Sequence, residues 1–81
     1  MTFGAVVDVM LKPGIADPQG QTVERALPAL GFTGVEGVRV GKRIELTVDA
    51  GTPEEARELV GEMCDRFLAN PVIESYSVTV L

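Results

Sequence analysis

The residues that most often carry covalent or proton-transfer chemistry are nearly missing from this chain, which has one cysteine, Cys64, and no histidine. A Cys/His metal cluster and an internal disulfide are excluded. The side chain best suited to moving protons near neutral pH is absent. Pairings of Cys64, serine or threonine with lysine or carboxylate have no supporting motif. Cys64 falls on the apolar face of a helix, where a free cysteine packs as a small hydrophobe. The acids Glu54, Glu55, Glu58, Glu62 and Asp65 spread along one solvated helix face rather than forming a catalytic pair. Glu54 and Glu55 suit the positive end of the helix dipole.

Two polar stretches remain. LKPGIADPQG, residues 11 to 20, packs two prolines and two glycines into a strand-to-helix connection. Asp17 before Pro18 reads as an N-cap with proline at the first helical position. Gly20 permits close backbone approach, and Lys12 and Gln19 offer polar ends. This is either a capped turn or a stiff docking loop that loses little entropy on binding. The second stretch, GVRVGKR at residues 37 to 43, ends in Gly41-Lys42 like a phosphate loop. The glycine spacing is wrong, no Ser or Thr follows Lys42, and the segment belongs to a strand, so a P-loop is rejected. Arg39, Lys42 and Arg43 are then either solvated or a basic rim around a bend that meets an acidic partner or a phosphate.

Twelve acids against seven bases give a net charge of -5, the wrong sign for generic nucleic-acid binding. No apolar run is long enough to cross a bilayer and the N-terminus lacks a signal-peptide pattern, so a cytoplasmic location without membrane contact is expected. A chain of 81 residues is one small domain, residues 1 to 81. At this size only roughly 60% of the unfolded surface is buried, so self-association or a partner is expected to help.

The elements follow from periodicity. Phe3, Ala5, Val7, Val9 and Leu11 alternate as a strand, with Val6 and Met10 making the second face apolar too. Val23, Leu27 and Leu30 give the first helix a buried stripe, Pro28 loosens its last turn and Gly31 ends it. Val38, Val40, Ile44, Leu46 and Val48 hold one parity, which rules against a two-residue hairpin at Gly41-Lys42. A bend, a bulge, an odd-length turn or one long bent strand keeps them on one face. Thr52-Pro53-Glu54-Glu55 is a capping box opening a helix with Ala56, Leu59, Val60, Met63, Cys64, Phe67 and Leu68 on its apolar face. Asn70-Pro71 stops it, and Val72, Tyr76, Val78 and Val80 mark a last strand, where Tyr76 reads as packing.

The order predicts an α+β protein, a small βαβ(β)αβ ferredoxin-like sheet with two helices on one face, becoming βαββαβ if the middle strand splits. Its other face, with Val6, Met10 and Ile73, is expected to oligomerise through the sheet.

LKPGIADPQG after a first strand, a helix ending LPALGF and then VEGVRVGKRIEL closely resemble the PurS family, small subunits of phosphoribosylformylglycinamidine synthase in purine synthesis. The resemblance runs over essentially the whole chain, with Ile15 and Ala16 as mild departures. It implies a non-catalytic subunit that bridges a synthetase subunit (PurL) and a glutaminase subunit (PurQ) and assists ammonia transfer. The complex uses ATP and Mg to convert formylglycinamide ribonucleotide and glutamine to formylglycinamidine ribonucleotide. No cofactor is implied for this chain, and a homodimer or homotetramer is. Motif position puts Lys12, Asp17, Gln19, Gly20, Arg39, Gly41 and Lys42 at partner contacts. The competing reading is a small-molecule-binding regulatory domain of ferredoxin-like topology, with the loop at Gly14 to Gly20 holding an amino acid or nucleotide between subunits.

Overall fold

The computed structural model describes all 81 residues. Three strands, β1 (Thr2–Leu11), β2 (Lys42–Asp49) and β3 (Glu74–Val80), form one antiparallel sheet in the order β2-β1-β3. Helix α1 (Pro18–Ala26) follows β1 and leads through a 3₁₀ turn at Pro28–Leu30 to Gly31, whose φ of 94° closes the turn. Helix α2 (Pro53–Met63) connects β2 to β3.

β1 is central, and the registers fix the faces. Val7 lies opposite Ile44 on one side and Val78 on the other; Ala5 lies opposite Leu46 and Val80. These side chains point to one face, where Ala56 and Val60 of α2 and Cys64 just after it meet Ala5, Val7, Val9 and Val48 in a closed cluster. The Thr52 cap forms as its sequence dictates: Glu55 N–H donates to Thr52 Oγ1 at 3.1 Å while Glu55 Oε2 accepts from Gly51 N–H at 3.0 Å.

α2 ends in a widened turn. Cys64–Leu68 is π-helical, closed by Ala69 N–H on the Cys64 carbonyl at 3.0 Å. The extra residue rotates the end of the helix, so Phe67, expected on the buried face, is 87% exposed and Ala69 takes the inward place. Val72, expected in the last strand, lies in the preceding turn and is exposed.

The largest departure from expectation concerns residues 12 to 41. The middle strand does not split into two paired strands: residues 35 to 41 enter no ladder, and β2 starts at Lys42 with no turn at Gly41. Of the two helices, α2 packs on the sheet, whereas α1 makes its principal contact with the 3₁₀ turn. Val23 and Leu30 of the expected buried stripe are exposed, and Leu27 is half-buried. The molecule is drawn out to 51 × 25 × 14 Å. On the second sheet face Val6 is already buried within the chain, Met10 is exposed and Ile73 is half-buried.

Candidate functional site

The polar residues singled out in the sequence gather at one end of the sheet, where the chain leaves β1, turns into α1 and returns into β2. Asp17 is the hub and is buried. Its Oδ1 accepts from Gly20 N–H at 3.0 Å, capping α1, and its Oδ2 accepts from Val40 N–H at 2.8 Å. The Arg39 Nε lies 3.7 Å from Oδ2. The two backbone N–H groups, first Gly20 and then Val40, hold the Asp17 carboxyl below the usual carboxylate range, with Arg39 adding to them against the opposing effect of burial.

Arg39 also closes the end of β1. Its Nη2 donates to the carbonyls of Leu11 at 2.9 Å and Lys12 at 3.2 Å, taking the place of a ladder partner that β2 does not supply beyond Val9. Lys12 Nζ donates to the Pro71 carbonyl at 2.6 Å, and Lys12 N–H to the Ile73 carbonyl at 2.8 Å, tying the same corner to β3. Glu24, which sequence reasoning did not single out, accepts from Val38 N–H through Oε1 at 2.9 Å. A lone glutamate on a helix gives no sequence signal for such a bond.

Both glycines are tight. A Cβ on Gly20 would collide with the Val38 carbonyl and the Asp17 carboxylate; one on Gly41 would collide with the Val9 carbonyl and Met10 Sδ. Neither has a left-handed φ, so close approach rather than backbone freedom requires glycine here.

Of the seven residues, Lys12, Asp17 and Arg39 spend their polar groups on this chain, and Gly20 and Gly41 let its segments touch. Gln19 and Lys42 are exposed beside a cleft of about 300 Å³ walled by Val9, Leu11, Val40 and Glu74. The junction is a built corner with two outward polar ends. Nothing in it forms a nucleophile with a base, and no group of three or more carboxylates and cysteines could hold a metal ion.

Cys64 is fully buried, and its thiol is pushed up by that burial and by Asp65 nearby, the direction of an unreactive group. Tyr76 reaches from β3 to α2, its hydroxyl donating to Asp65 Oδ1 at 2.8 Å and lying 3.3 Å from the Gly61 carbonyl. That bond to Asp65 raises the phenol's pKa, with burial adding to it. Both are packing groups of the core side. No helix is long and apolar enough to cross a membrane.

Comparison with known proteins gives a consistent result. Residues 4–81 match the family model PurS, phosphoribosylformylglycinamidine (FGAM) synthase. The chain is 41% identical over 78 residues to the phosphoribosylformylglycinamidine synthase subunit PurS of Methanocaldococcus jannaschii, covering 96% of this chain and 94% of that one. The crystal structure of M. jannaschii PurS superposes with a TM-score of 0.87 over 98% of this chain and 95% of that one, at 40% identity. A chain of the PurLQS structure from Thermotoga maritima superposes with a TM-score of 0.90 at 38% identity, covering 100% of this chain and 99% of that one.

Proposed function

The chain belongs to the PurS family, the small subunits of the ATP-using phosphoribosylformylglycinamidine synthase of purine biosynthesis, and from that premise we propose how it serves the complex. It acts in the cytoplasm as one non-catalytic domain that brings the synthetase subunit (PurL) and the glutaminase subunit (PurQ) together, and it assists the passage of ammonia between them. ATP and Mg are handled by the complex; this chain holds neither. The observation that carries the reading is the full-length match to a chain of the T. maritima PurLQS structure, in a molecule whose polar groups build a corner instead of a reaction centre.

Within that role the seven corner residues divide. Asp17, Gly20, Arg39, Gly41 and Lys12 hold the corner rigid, and Gln19 and Lys42 present it to a partner. A preorganised surface loses little freedom on docking, so the internal bonds support affinity without touching the partner.

The test is to mix the protein with PurL and PurQ, with an ATP analogue and glutamine present, and to look for a ternary complex by native mass. Gln19→Ala combined with Lys42→Glu is expected to weaken that complex and lower glutamine-dependent synthesis while ammonia-dependent synthesis by PurL persists. If complex and glutamine-dependent rate both survive, the corner is not the docking surface.

A further inference from the structure

The sheet has two outer strands, and they are finished differently. β2 carries Lys42, Arg43 and Glu45, exposed charges of the kind that keep an edge from pairing at random. β3 carries SYSVTV, residues 75 to 80, with no charge, proline or glycine. Valine, threonine and tyrosine favour strands, and an uncharged run of this length is a template for another strand. The register of β3 with β1 is unbroken, so no bulge twists the edge away.

The hydrogen-bond pattern shows which groups the edge offers. Leu81 N–H donates to the Gly4 carbonyl and Lys12 N–H to the Ile73 carbonyl, so Ser75, Ser77 and Thr79 turn their main-chain groups toward β1. Tyr76, Val78 and Val80 turn theirs outward, where the sheet has no further strand. Their side chains lie half-buried on the α2 side, while Ser75, Ser77 and Thr79 are exposed on the other. α2 leaves the approach open, because a Cβ on Gly61 would meet only the Tyr76 hydroxyl, at 3.9 Å. At 3.6 residues per turn, Glu54, Arg57 and Glu58 share the flank of Gly61 and Asp65 that looks over this edge. Glu54, Glu58 and Asp65 against Arg57 make that flank negative.

We infer that the outer edge of β3 receives an extended segment of another subunit of the synthase, the one that the corner does not hold. Bonds to the main chain of Tyr76, Val78 and Val80 hold the segment, with apolar residues and a lysine or arginine on its α2 side and small polar residues on the other. Charge argues against a second copy of this chain in that place. Two copies joined antiparallel through β3 would set their α2 flanks face to face on one side of the sheet, acid toward acid, and SYSVTV has no base to answer them. The inference rests on the bridging role proposed above, because a chain that joins two larger subunits needs a surface besides the corner.

The test uses the ternary complex with PurL and PurQ. Val78→Pro removes one outward N–H and spares the ladder to β1, a place where an edge strand accepts proline. It should weaken the complex about tenfold in a native-mass titration, the order expected for one lost hydrogen bond. Glu54→Lys combined with Glu58→Lys should weaken it too, more at low salt than at high. Circular dichroism checks that each variant is folded. In amide exchange the N–H groups of Tyr76, Val78 and Val80 should be open in the pure chain and protected in the complex. Protection already present in the pure chain would give the edge to a second copy and overturn the proposal, as would open edge amides in an intact ternary complex. If Gln19→Ala with Lys42→Glu dissolves the complex and Val78→Pro does not, the corner reading stands and this one falls; the converse result removes the corner and keeps the edge.

Discussion

The half of the molecule built from the sheet and α2 and the half running from residue 12 to residue 41 are held together by different physics. In the first, Val7, Val9, Val60 and Cys64 are fully enclosed and apolar burial does the work. In the second, the one buried charged side chain is Asp17, and segments are tied by side chains bonded to main-chain groups: Asp17 to Val40, Glu24 to Val38, Arg39 to Leu11, Lys12 to Pro71. A hydrophobic core is non-directional and tolerates rearrangement; bonds of the second kind fix position. The first half supplies stability, and the second supplies a shape.

The sharpest test of this contrast removes core volume. Val60→Ala, on the buried face of α2, should lower stability by about 1 to 3 kcal/mol, a large share of what so small a domain has, and melt both halves together in a thermal scan. Gly20→Ala should do the reverse. Its Cβ meets the Val38 carbonyl, so the segment at 38 to 40 must move away, and its amides should exchange freely while those of β1 stay protected. A global loss of stability as large as that of Val60→Ala would show that the two halves are not separable.

Acid should act on the same line. The Asp17 pKa is lower in the folded protein than its ordinary 3.8, so the stabilisation it provides is fully present above that value and is lost as pH falls from there through the lowered folded value. Amide exchange at Gly20 and Val40 should therefore rise selectively in that acid window, and Asp17→Asn should remove the pH dependence. The smallest effect is expected for Arg66→Ala. Its pair with Glu62, one turn away at 3.2 Å, lies on the solvated side of α2 and should change stability by no more than about 0.5 kcal/mol in a denaturant titration.

The same division explains what the sequence could tell. α2 was legible because a capping box and a 3.6-residue period coincide with real burial, until the π turn displaced Phe67, a shift that periodicity cannot announce. Across α1 and the 3₁₀ turn after it the apolar spacing of Val23, Leu27 and Leu30 was equally clear and misplaced, because a stripe says that a face is to be covered and not that the same chain covers it. Asp17 and Gly20 could be assigned as cap and close approach from local chemistry. The partners of Lys12, Glu24 and Arg39 could not, since each bonds to a carbonyl or amide brought near only by the tertiary turn. The constant parity from Val38 to Val48 argued against a hairpin at Gly41-Lys42, and the chain passes through that point without turning.

That uninterrupted passage sets a rule for how the protein can vary in length. Because Gly41 sits between two stretches that keep one parity, inserting or deleting a single residue between 38 and 42 would interchange the edges. Val38 and Val40 would then turn their amides away from Glu24 and Asp17, or β2 would turn its own away from β1. Relatives that differ in length here are expected to differ by two residues or to place the change before Gly37, where the glycines at 34 and 37, with φ of 80° and 72°, can absorb it.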